Sequence, residues 1–560
     1  MVNRRAEPSR RADGVWIIAL VIAFAGFAVR VSTLGDFWLS ADEGIYYHVA
    51  NAPAKVAALV VALNAHPPLH YWMLRAVASI DSGFVWLRVP SVISGSLAIF
   101  AMYLLGRQTG GRICGITAAL LLAFSPGAIM LSQVARPYMP MLLFLVLALF
   151  FLLRFVSEGV SRDLWLYAAL MITALLFHYA SFAVVATAAG VLAILAAAGR
   201  LDARAIKGLA IAHLPIALVM AWLYLAHIGP GLMGSAIQAD AVSGRLQPFF
   251  VTTPLEAWRN LLGLIAYIAG PALVGAASLA FIASLIACLA ARKLLVVALA
   301  SVALAVSVGL SELELYPFGS GRHSFHLAPF LMLVVATGVS LLAARSLKEL
   351  SLVLAALAAL ILMPAATERA LGLAPDRPRV SSERRIRVAE VEQLLVPLTS
   401  IIRTPGLLVM DGQTAHTLAP LIEKSWRGVH SRPDLPFHWF SWEEREVILT
   451  HLWRLEVRHT GGDPQEQLDA ILGRISTGTP ELARAMRDDV RLLSARGSSV
   501  PRSLRALARD AGRASAPFAN PVQTRHFSII QLDVEAYRQV LAETPPRAQP
   551  RSITTDGERL

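Results

Sequence analysis

Long apolar segments recur through the first 370 residues of the chain. About 20 apolar residues are needed for a helix to cross the hydrocarbon core of a membrane. Segments that approach this length lie at 15–34, 84–105, 113–131, 138–156, 163–180, 181–199, 208–228, 271–291, 294–311, 325–344 and 349–368. The pattern therefore predicts an α-helical polytopic membrane protein with about 11 transmembrane helices.

The polar segment between the first two predicted spans, residues 35–83, is too long for a simple turn. Within it, residues 46–63 and 69–79 each carry apolar side chains on one side at helical spacing. The pair Pro67-Pro68 separates them, because proline interrupts a helix. We therefore predict two amphipathic helices in this first outer loop, both lying along the membrane interface.

The composition of the chain changes near residue 370. Residues 371–560 have the mixed polar and apolar composition of a soluble protein, and they are long enough for one domain with its own core. We predict a transmembrane domain at 1–370 and a C-terminal soluble α/β domain at 371–560. Its predicted strands lie at 406–411 and 526–533, its predicted helices at 384–402, 414–425, 442–456, 464–475 and 480–495, and its predicted mobile segments at 496–525 and 543–560.

The charge of the chain predicts its topology. The sequence is 56% hydrophobic and 16% charged, with a formal net charge of +12. In the apolar part, the basic residues gather in alternate loops, which is the positive-inside pattern of membrane proteins. These residues are Arg4, Arg5, Arg10, Arg11, Arg107, Arg112, Arg154, Arg162, Arg200, Arg204, Lys207, Arg292, Lys293, Arg345 and Lys348. We predict an N-terminus in the cytoplasm, a C-terminal domain outside, and no nucleic-acid partner.

The strongest candidate for chemistry is the acidic pair Asp42-Glu43, which follows the first predicted span on the outer side. Carboxylates are costly at a membrane unless they meet a partner or a ligand. One interpretation is an acidic cap on the following helix, because negative charge suits a helix N-terminus. The other is a catalytic base, since Trp38, Tyr46 and Tyr47 would give the carboxylates an amphipathic lining that suits a sugar.

Two arginines lie on the outer side and so fall outside the positive-inside pattern. Arg136, followed closely by Tyr138, lies between two predicted spans, and Arg322-His323 precedes another. Snorkelling of the arginines to lipid headgroups is one explanation. Binding of a phosphate is the other, because the planar guanidinium matches phosphate with two parallel hydrogen bonds.

Histidines in the outer segments are further candidates for substrate contact. His48 and His66 lie in the first outer loop, where a structural role competes with a catalytic one. Together with the carboxylates Asp36, Asp42 and Glu43 they would supply oxygen and nitrogen ligands for a divalent metal, but their spacing is not diagnostic of one. His178-Tyr179 lies near the outer end of a predicted span, where an imidazole is either functional or bonded to a neighbouring helix.

The ordered set of these segments resembles the GT-C superfamily of glycosyltransferases that use polyprenyl-phosphate sugars. The likeness is greatest to bacterial relatives of protein O-mannosyltransferases, lipid A aminoarabinose transferases and rhizobial galacturonosyltransferases. The segments that carry it are ADEGIYYHVA (41–50), HPPLHYWML (66–74), RVPSVISGSLAIFAMYLLGR (88–107), FSPGAIMLSQVARPYMPMLLF (124–144), LLFHYASFAVV (175–185) and RHSFHLAPFLMLVVATG (322–338). The resemblance covers about residues 15–345, and the segment after them is recognisable only as the place where this superfamily often carries an outer soluble domain.

The resemblance implies an inverting transfer of a sugar from a lipid phosphate at the outer side of the cytoplasmic membrane. Asp42, with Glu43 beside it, matches the acidic motif of the first loop, and Asp42 would be the base that deprotonates the acceptor. Arg136 and Tyr138 match the Arg-x-Tyr motif near the donor phosphate, and Arg322 matches a second donor contact. His323 departs from the tyrosine that relatives often carry at that position. No cofactor is implied beyond an optional divalent metal.

The acceptor stays open between a glycan, a lipid and a protein hydroxyl, so a protein O-mannosyltransferase is an alternative within the enzyme class. A transporter or flippase of lipid-linked sugars is an alternative of another class, although transporters place charge near the bilayer midplane. A sensor with a membrane anchor is a third, but an anchor does not need so many outward arginine, histidine and carboxylate groups. The membrane lipids themselves are partners in every case.

Overall fold

The computed structural model describes residues 15–52, 54, 57–58, 61, 66–228, 250–344, 386–394, 407–410, 417–418, 490–495, 518–523 and 527–532. It divides into two compact units, Met1–Arg385 and Ile386–Leu560. The α-helices are α1 Val15–Val31, α2 Ala41–Asn51, α3 Pro68–Ala78, α4 Phe84–Ala123, α5 Pro126–Ser132, α6 Tyr138–Glu158, α7 Ser161–Phe177, α8 Ser181–Ala197, α9 Ala203–Leu223, α10 Pro254–Ala269, α11 Val274–Ala290, α12 Leu294–Glu312 and α13 Ala328–Ala343. Short turns of other helix types lie at Tyr224–Ile228, Pro271–Leu273 and Arg322–Leu327.

Within the described residues, six helical segments are long and apolar enough to cross a membrane. They are Phe84–Ala123, Tyr138–Glu158, Ala203–Ile228, Pro271–Ala290, Leu294–Glu312 and Arg322–Ala343. The shorter helices α1 and α8 are also apolar, and α7 occupies most of the span predicted at 163–180. The chain is therefore a multi-pass membrane protein, as predicted. The predicted last span at 349–368 lies outside the described residues, so the count of 11 stays a prediction.

Two of the predicted spans form one helical hairpin, α4. Gly111 has φ 84°, a left-handed conformation that glycine adopts without strain, and the chain reverses there. The two arms approach closely because Gly106 and Gly115 lack side chains. A Cβ atom on Gly106 would lie 2.8 Å from the Cys114 carbonyl oxygen, and one on Gly115 would lie 2.7 Å from the Tyr103 carbonyl oxygen. Small residues at such contacts are the usual means of helix packing inside a membrane.

The helices differ in how much of their surface packs against protein. α4, α6 and α13 lie in the interior of the bundle, where α4 packs on both of the others, whereas α9 and α11 expose most of their apolar side chains. Leu218 on α9 and Leu279 on α11, for example, are 62% and 69% exposed. Because apolar side chains are stable in lipid, this exposure is expected for the outer helices of a membrane bundle.

The first outer loop contains α2 and α3, which pack on each other through Tyr46, Val49, Tyr71 and Leu74. Arg75 of α3 extends across to the C-terminal end of α2, where its Nη1 atom donates to the carbonyl oxygens of Val49 and Ala52, at 2.8 and 2.6 Å. α3 agrees with the helix predicted at 69–79, whereas α2 begins five residues before the predicted 46–63, so that the acidic pair lies inside the helix.

A helix absent from the sequence analysis, α10, lies in the segment 229–270. Its first turn carries a capping box, in which the Thr253 hydroxyl accepts from the Glu256 N–H at 3.3 Å and the Glu256 carboxylate accepts from the Thr253 N–H at 3.2 Å. Pro254 at its first position suits a helix start. These start signals were present in the sequence and were overlooked because the preceding residues are rich in glycine and polar residues.

The second unit contains a four-stranded sheet in the order β1-β2-β4-β3, formed by β1 Leu407–Met410, β2 Val490–Ala495, β3 Phe518–Gln523 and β4 Phe527–Leu532. β1 and β2 are parallel, and the other pairs are antiparallel. β1 and β4 lie where strands were predicted.

The other two strands correct the sequence analysis. β2 replaces the end of the predicted helix 480–495, because pairing on both edges outweighs local helix propensity. β3 lies in 496–525, which was predicted to be mobile. Of the predicted helices, 442–456 and 464–475 lie outside the described residues.

Candidate active site

The acidic pair lies in the first turn of α2. Ser40 and Glu43 form a capping box, in which the Ser40 N–H donates to the Glu43 carboxylate at 3.0 Å and the Glu43 N–H donates to the Ser40 hydroxyl at 3.3 Å. The predicted alternative of an acidic helix cap therefore describes Glu43. Asp42, one residue earlier, points to a different group of side chains.

Glu43 forms a buried ion pair with Arg88 of α4. The Arg88 Nε atom lies 2.8 Å from Oε1 and its Nη2 atom lies 3.1 Å from Oε2, and both side chains are 2% exposed. Burial favours the neutral acid, but Arg88 and the N–H donors of Ser40 and Ala135 outweigh it, so the pKa of Glu43 lies below its ordinary value. The guanidinium also donates to the carbonyl oxygens of Leu34, Phe37 and Trp38, at 2.7 to 3.0 Å. The pair fixes the chain segment that leads into α2.

Asp42 contacts two arginines that are remote from it in sequence. Its Oδ2 atom lies 2.8 Å from Arg322 Nη2 and 3.1 Å from Arg136 Nη1. The Asp42 side chain is 35% exposed, whereas those of Arg322 and Arg136 are 19% and 5% exposed. Two guanidinium groups around one carboxylate leave a local charge of +1. This arrangement can bind an anion such as phosphate, and the carboxylate can accept a proton.

The position of Arg136 depends on the Glu43 pair. The N–H of Ala135, the residue before it, donates to the Glu43 Oε1 atom at 2.9 Å, and the Arg136 carbonyl oxygen accepts from the Ser91 hydroxyl at 3.2 Å. The Arg136 guanidinium lies over the rings of Tyr46 and Tyr138, 5.5 and 5.7 Å from their centroids, which is within the range of cation–π attraction. Glu43 therefore holds α2 and the Arg136 segment in one fixed arrangement.

Imidazole and phenol rings surround these charges. His178 lies 4.8 Å from Tyr138 and 5.5 Å from His66, between ring centroids, and Tyr46 lies 6.0 Å from His66. Burial lowers the pKa of His66 to about 3 and that of His178 well below its ordinary value, so both are neutral near pH 7. The Tyr138 hydroxyl is buried and has no hydrogen-bond partner among the described residues.

The tautomer of His178 follows from its backbone contact. Its Nδ1 atom lies 3.0 Å from the Ala180 nitrogen and accepts the proton of that N–H group. In a neutral imidazole the other nitrogen then carries the proton, so Nε2 is a hydrogen-bond donor. The predicted contact residues Tyr46, His66, Tyr138 and His178 thus lie together beside Arg136.

The remaining predicted residues have structural contacts. The Tyr179 hydroxyl is hydrogen-bonded to His227 Nδ1, and His227 Nε2 donates to the Val61 carbonyl oxygen at 2.8 Å, which links the first outer loop to the end of α9. The carbonyl oxygen of His323 accepts from the Tyr316 hydroxyl at 3.1 Å. His323 follows Arg322 directly in the chain.

Two buried arginines escaped the sequence analysis. Arg88 carries the same signal as Arg136, a cation at the outer end of a span and outside the positive-inside pattern, and this signal could have identified it. Arg30 at the end of α1 donates to the Ser132 hydroxyl at 2.9 Å and to the carbonyl oxygens of Leu122 and Ala123 at 3.1 and 2.9 Å. It thereby satisfies the C-terminal end of α4, where a cation also suits the helix dipole.

In the part of the chain that the structure describes, no group of three or more histidine, cysteine or acidic residues could hold a metal ion. Asp36 is exposed, and Glu43 is committed to Arg88. The side chain of His48 lies outside the described atoms.

The family model described as dolichyl-phosphate-mannose-protein mannosyltransferase matches residues 65–225. No curated protein matches the chain in sequence. The crystal structure of ArnT from Cupriavidus metallidurans bound to undecaprenyl phosphate is similar in fold, with a TM-score of 0.56 and 13% identity, over 96% of this chain and 100% of that one.

A second similar fold is the oligosaccharyltransferase of Archaeoglobus fulgidus, with a TM-score of 0.51 and 15% identity, over 90% of this chain and 71% of that one. At such low identities the likeness establishes the fold alone. It agrees with the resemblance found in the sequence, and with the multi-pass helical architecture. This chain therefore has the fold of the GT-C superfamily of membrane glycosyltransferases.

Proposed function

We propose that the protein is a membrane glycosyltransferase that moves a sugar from a polyprenyl-phosphate donor to a hydroxyl group of an envelope acceptor. The observation that carries this proposal is the contact of Asp42 with both Arg136 and Arg322. A candidate base and two candidate phosphate ligands come together from positions up to 280 residues apart. The reaction needs such groups within reach of one anomeric carbon, because it deprotonates an alcohol and releases a phosphate.

The chemical step follows from this geometry. Asp42 takes the proton of the acceptor hydroxyl, and the acceptor oxygen forms a bond to the anomeric carbon. The bond between that carbon and the phosphate oxygen breaks, and its electron pair leaves with the polyprenyl phosphate. Arg136 and Arg322 stabilise the negative charge that develops on the phosphate. Attack on the face opposite the leaving group inverts the anomeric configuration.

Glu43 has a positioning role in this proposal rather than a direct catalytic one. Its two carboxylate oxygens receive four donors, from Arg88, Ser40 and Ala135, and the side chain is buried. A carboxylate held in this way has no capacity left for an acceptor hydroxyl. It fixes Asp42 on one side and Arg136 on the other.

The rings beside Arg136 form the proposed sugar site. His66 and His178 are neutral, and the Nε2 proton of His178 and the hydroxyl of Tyr138 are available as donors to sugar oxygens. Tyr46 packs below the Arg136 guanidinium and supports its orientation. His323 is assigned to the donor phosphate side, next to Arg322. Tyr179 supports the site through His227.

We place this site on the outer side of the cytoplasmic membrane, with the N-terminus inside. Tryptophan is enriched at both membrane–water interfaces, and the exposed tryptophans fall into two groups that fit the two interfaces. Trp16 and Trp165 lie at the helix ends near the basic loops, and Trp72, Trp86, Trp222 and Trp258 lie at or near the opposite ends. The candidate active site is at that opposite end, away from the basic loops.

Two observations bear on the acceptor and on the alternative of a transporter. The matched family description names a protein mannosyltransferase, and its segment 65–225 includes Arg136, Tyr138 and His178, which supports a protein hydroxyl as one acceptor among glycans and lipids. A transporter would place its charged groups near the bilayer midplane. Here the charged groups cluster at the outer helix ends, which favours transfer.

The test is transfer by purified wild-type protein in lipid vesicles, with a panel of polyprenyl-phosphate sugars and envelope fractions as acceptors. We expect one donor to give a glycosylated product of inverted anomeric configuration, as measured by nuclear magnetic resonance. Donor that crosses the vesicle membrane unchanged, without any product, would contradict the proposal and support the transporter.

A further inference from the structure

The Asp42 carboxylate occupies the same guanidinium groups that the donor phosphate is proposed to bind. Its Oδ2 atom receives Arg322 Nη2 at 2.8 Å and Arg136 Nη1 at 3.1 Å. Charge-assisted hydrogen bonds of this length are strong, and a phosphate oxygen would use the same N–H groups. A carboxylate engaged by two cations is also a weaker base than one that faces an acceptor hydroxyl. The contact of Asp42 with the arginines therefore opposes two proposed roles. It blocks binding of the donor phosphate by the arginines, and it weakens Asp42 as the base for the acceptor hydroxyl.

We infer that Asp42 is an internal competitor of the donor phosphate, and that donor binding releases it to act as the base. This inference rests on the proposed function. The phosphate takes over the two arginines, and the displaced carboxylate turns to the acceptor hydroxyl. Donor binding therefore precedes activation of the acceptor. In a protein without donor, Asp42 stays bound to the arginines and is too weak a base to activate water or another alcohol.

The surroundings of the three side chains indicate which of them moves. Arg136 is almost fully buried and is held over the rings of Tyr46 and Tyr138. Asp42 is the most exposed of the three side chains, and its short side chain is attached to a helix that Glu43 and Arg88 hold in place. The carboxylate can therefore turn about its own side-chain bonds without any shift of the arginines or of α2.

The charges favour the exchange. The two arginines and Asp42 together carry +1, and the phosphodiester of a polyprenyl-phosphate sugar carries −1, so the occupied site is neutral. If the arginines had no surplus charge, the phosphate would have to expel the carboxylate completely to bind. Because of the surplus charge of +1, the phosphate and the carboxylate can both stay near Arg136 and Arg322. Only the direct hydrogen bonds pass from the carboxylate to the phosphate.

The experiment measures binding of undecaprenyl phosphate, which carries no sugar, to purified protein in phosphatidylcholine vesicles. Asp42→Asn removes the competing charge and keeps the size of the side chain. We expect it to bind the lipid phosphate about tenfold more tightly than wild type, because the Asp42 carboxylate no longer competes with the phosphate for the two guanidinium groups. Glu312→Gln is the matched control, because Glu312 is an exposed acid at the end of α12. The affinity of this variant for undecaprenyl phosphate should equal that of wild type.

A measurement at high salt distinguishes direct competition by the Asp42 carboxylate from a general change in the electrostatic potential of the site. In about 1 M NaCl the attraction between separated exposed charges is largely screened. Tighter binding by Asp42→Asn that persists under these conditions supports direct competition. Equal or weaker binding by Asp42→Asn, or a gain that disappears in high salt, overturns it. If none of the three proteins binds undecaprenyl phosphate, both this inference and the donor role of the arginines are overturned.

The transfer assay is a separate readout. If Asp42→Asn binds the lipid phosphate more tightly while wild type transfers sugar from no donor, the competition stands and the proposed glycosyltransferase function fails. If wild type transfers sugar and Asp42→Asn shows no gain in affinity, the function stands and the competition fails.

Discussion

Two acid–arginine contacts begin at neighbouring residues of α2 and have opposite surroundings. Glu43 and Arg88 are both 2% exposed, and the carboxylate receives donors on both of its oxygens. Asp42 is 35% exposed, and its Oδ2 atom contacts two arginines from different parts of the chain. The first contact is closed and the second is open to a ligand.

This difference explains why two adjacent carboxylates have different proposed roles. A buried ion pair adds little stability over a well-packed apolar pair, but loss of one partner leaves an uncompensated charge in the interior. The Glu43 pair is therefore suited to fixing a geometry. The Asp42 carboxylate is partly exposed, so a ligand anion can replace it at the two arginines.

The largest expected effect is on stability at the closed contact. Glu43→Gln removes the negative charge and leaves Arg88 buried without its counterion. We expect the free energy of unfolding to fall by about 3 to 5 kcal/mol, since this is the usual cost of an unpaired buried charge. Thermal unfolding in detergent measures it. The same change at the open contact, Asp42→Asn, should lower the unfolding midpoint less, because the Asp42 carboxylate is partly exposed.

A double variant sharpens this prediction. Arg88→Met added to Glu43→Gln removes the unpaired cation, so the double variant should be more stable than Glu43→Gln alone. If the double variant loses the sum of the two single losses, the two residues act independently, and the closed contact has no role as a pair.

The next effect concerns the affinity of the open contact for donor. Arg322→Lys keeps the charge but replaces a planar group with a single ammonium, which cannot form two parallel hydrogen bonds to a phosphate. We expect the KM for the lipid-linked donor to rise about tenfold in a steady-state transfer assay. Arg259→Lys is the matched control, because Arg259 is an exposed residue of α10, and it should leave KM unchanged. An unaltered KM for Arg322→Lys would remove Arg322 from the donor site.

The sequence predicted the membrane spans and the two arginines of the open contact, but not the contact itself. Apolar length and alternate basic loops predicted the spans well, and the predicted starts at 138 and 294 coincide with α6 and α12. Arg136 and Arg322 were identified because they break the positive-inside pattern. Their shared contact with Asp42 could not be predicted, because Asp42 and Arg322 lie 280 residues apart in sequence and meet only in the folded chain.

The closed contact and the second unit show what sequence patterns miss. An acidic helix cap was one of the two interpretations of the pair Asp42-Glu43, but the sequence did not assign it to Glu43 alone, because the partner Arg88 lies 45 residues away. β2 was predicted as the end of a helix, since its pairing with β1 and β4 depends on residues outside the local window. Long-range pairing was the missing information in both cases.

The smallest expected effect is the pH dependence contributed by His66. Burial lowers its pKa in the folded protein to about 3, against 6.5 when unfolded. Folding therefore keeps the imidazole neutral, while the unfolded chain binds a proton as the pH falls below 6.5. Stability from this group is complete above 6.5 and is lost on acidification, by about 1 kcal/mol between pH 6.5 and about pH 5.5.

The variant His66→Gln isolates this contribution. Its stability should fall less than that of wild type over the same pH interval, whatever the offset between the two proteins at neutral pH. Unfolding measured at several pH values in one detergent provides the comparison. Parallel pH curves for the two proteins would mean that His66 is not held neutral by the fold.

The most direct test of the central claim is single-turnover transfer at saturating donor, wild type beside Asp42→Asn, with equal amounts of folded protein in lipid vesicles. General-base catalysis contributes about 10²- to 10⁴-fold to a rate. We expect the Asp42→Asn protein to lose activity by a factor in this range, although it folds normally and binds the lipid phosphate. Transfer by folded Asp42→Asn at the wild-type rate would show that Asp42 is not the base.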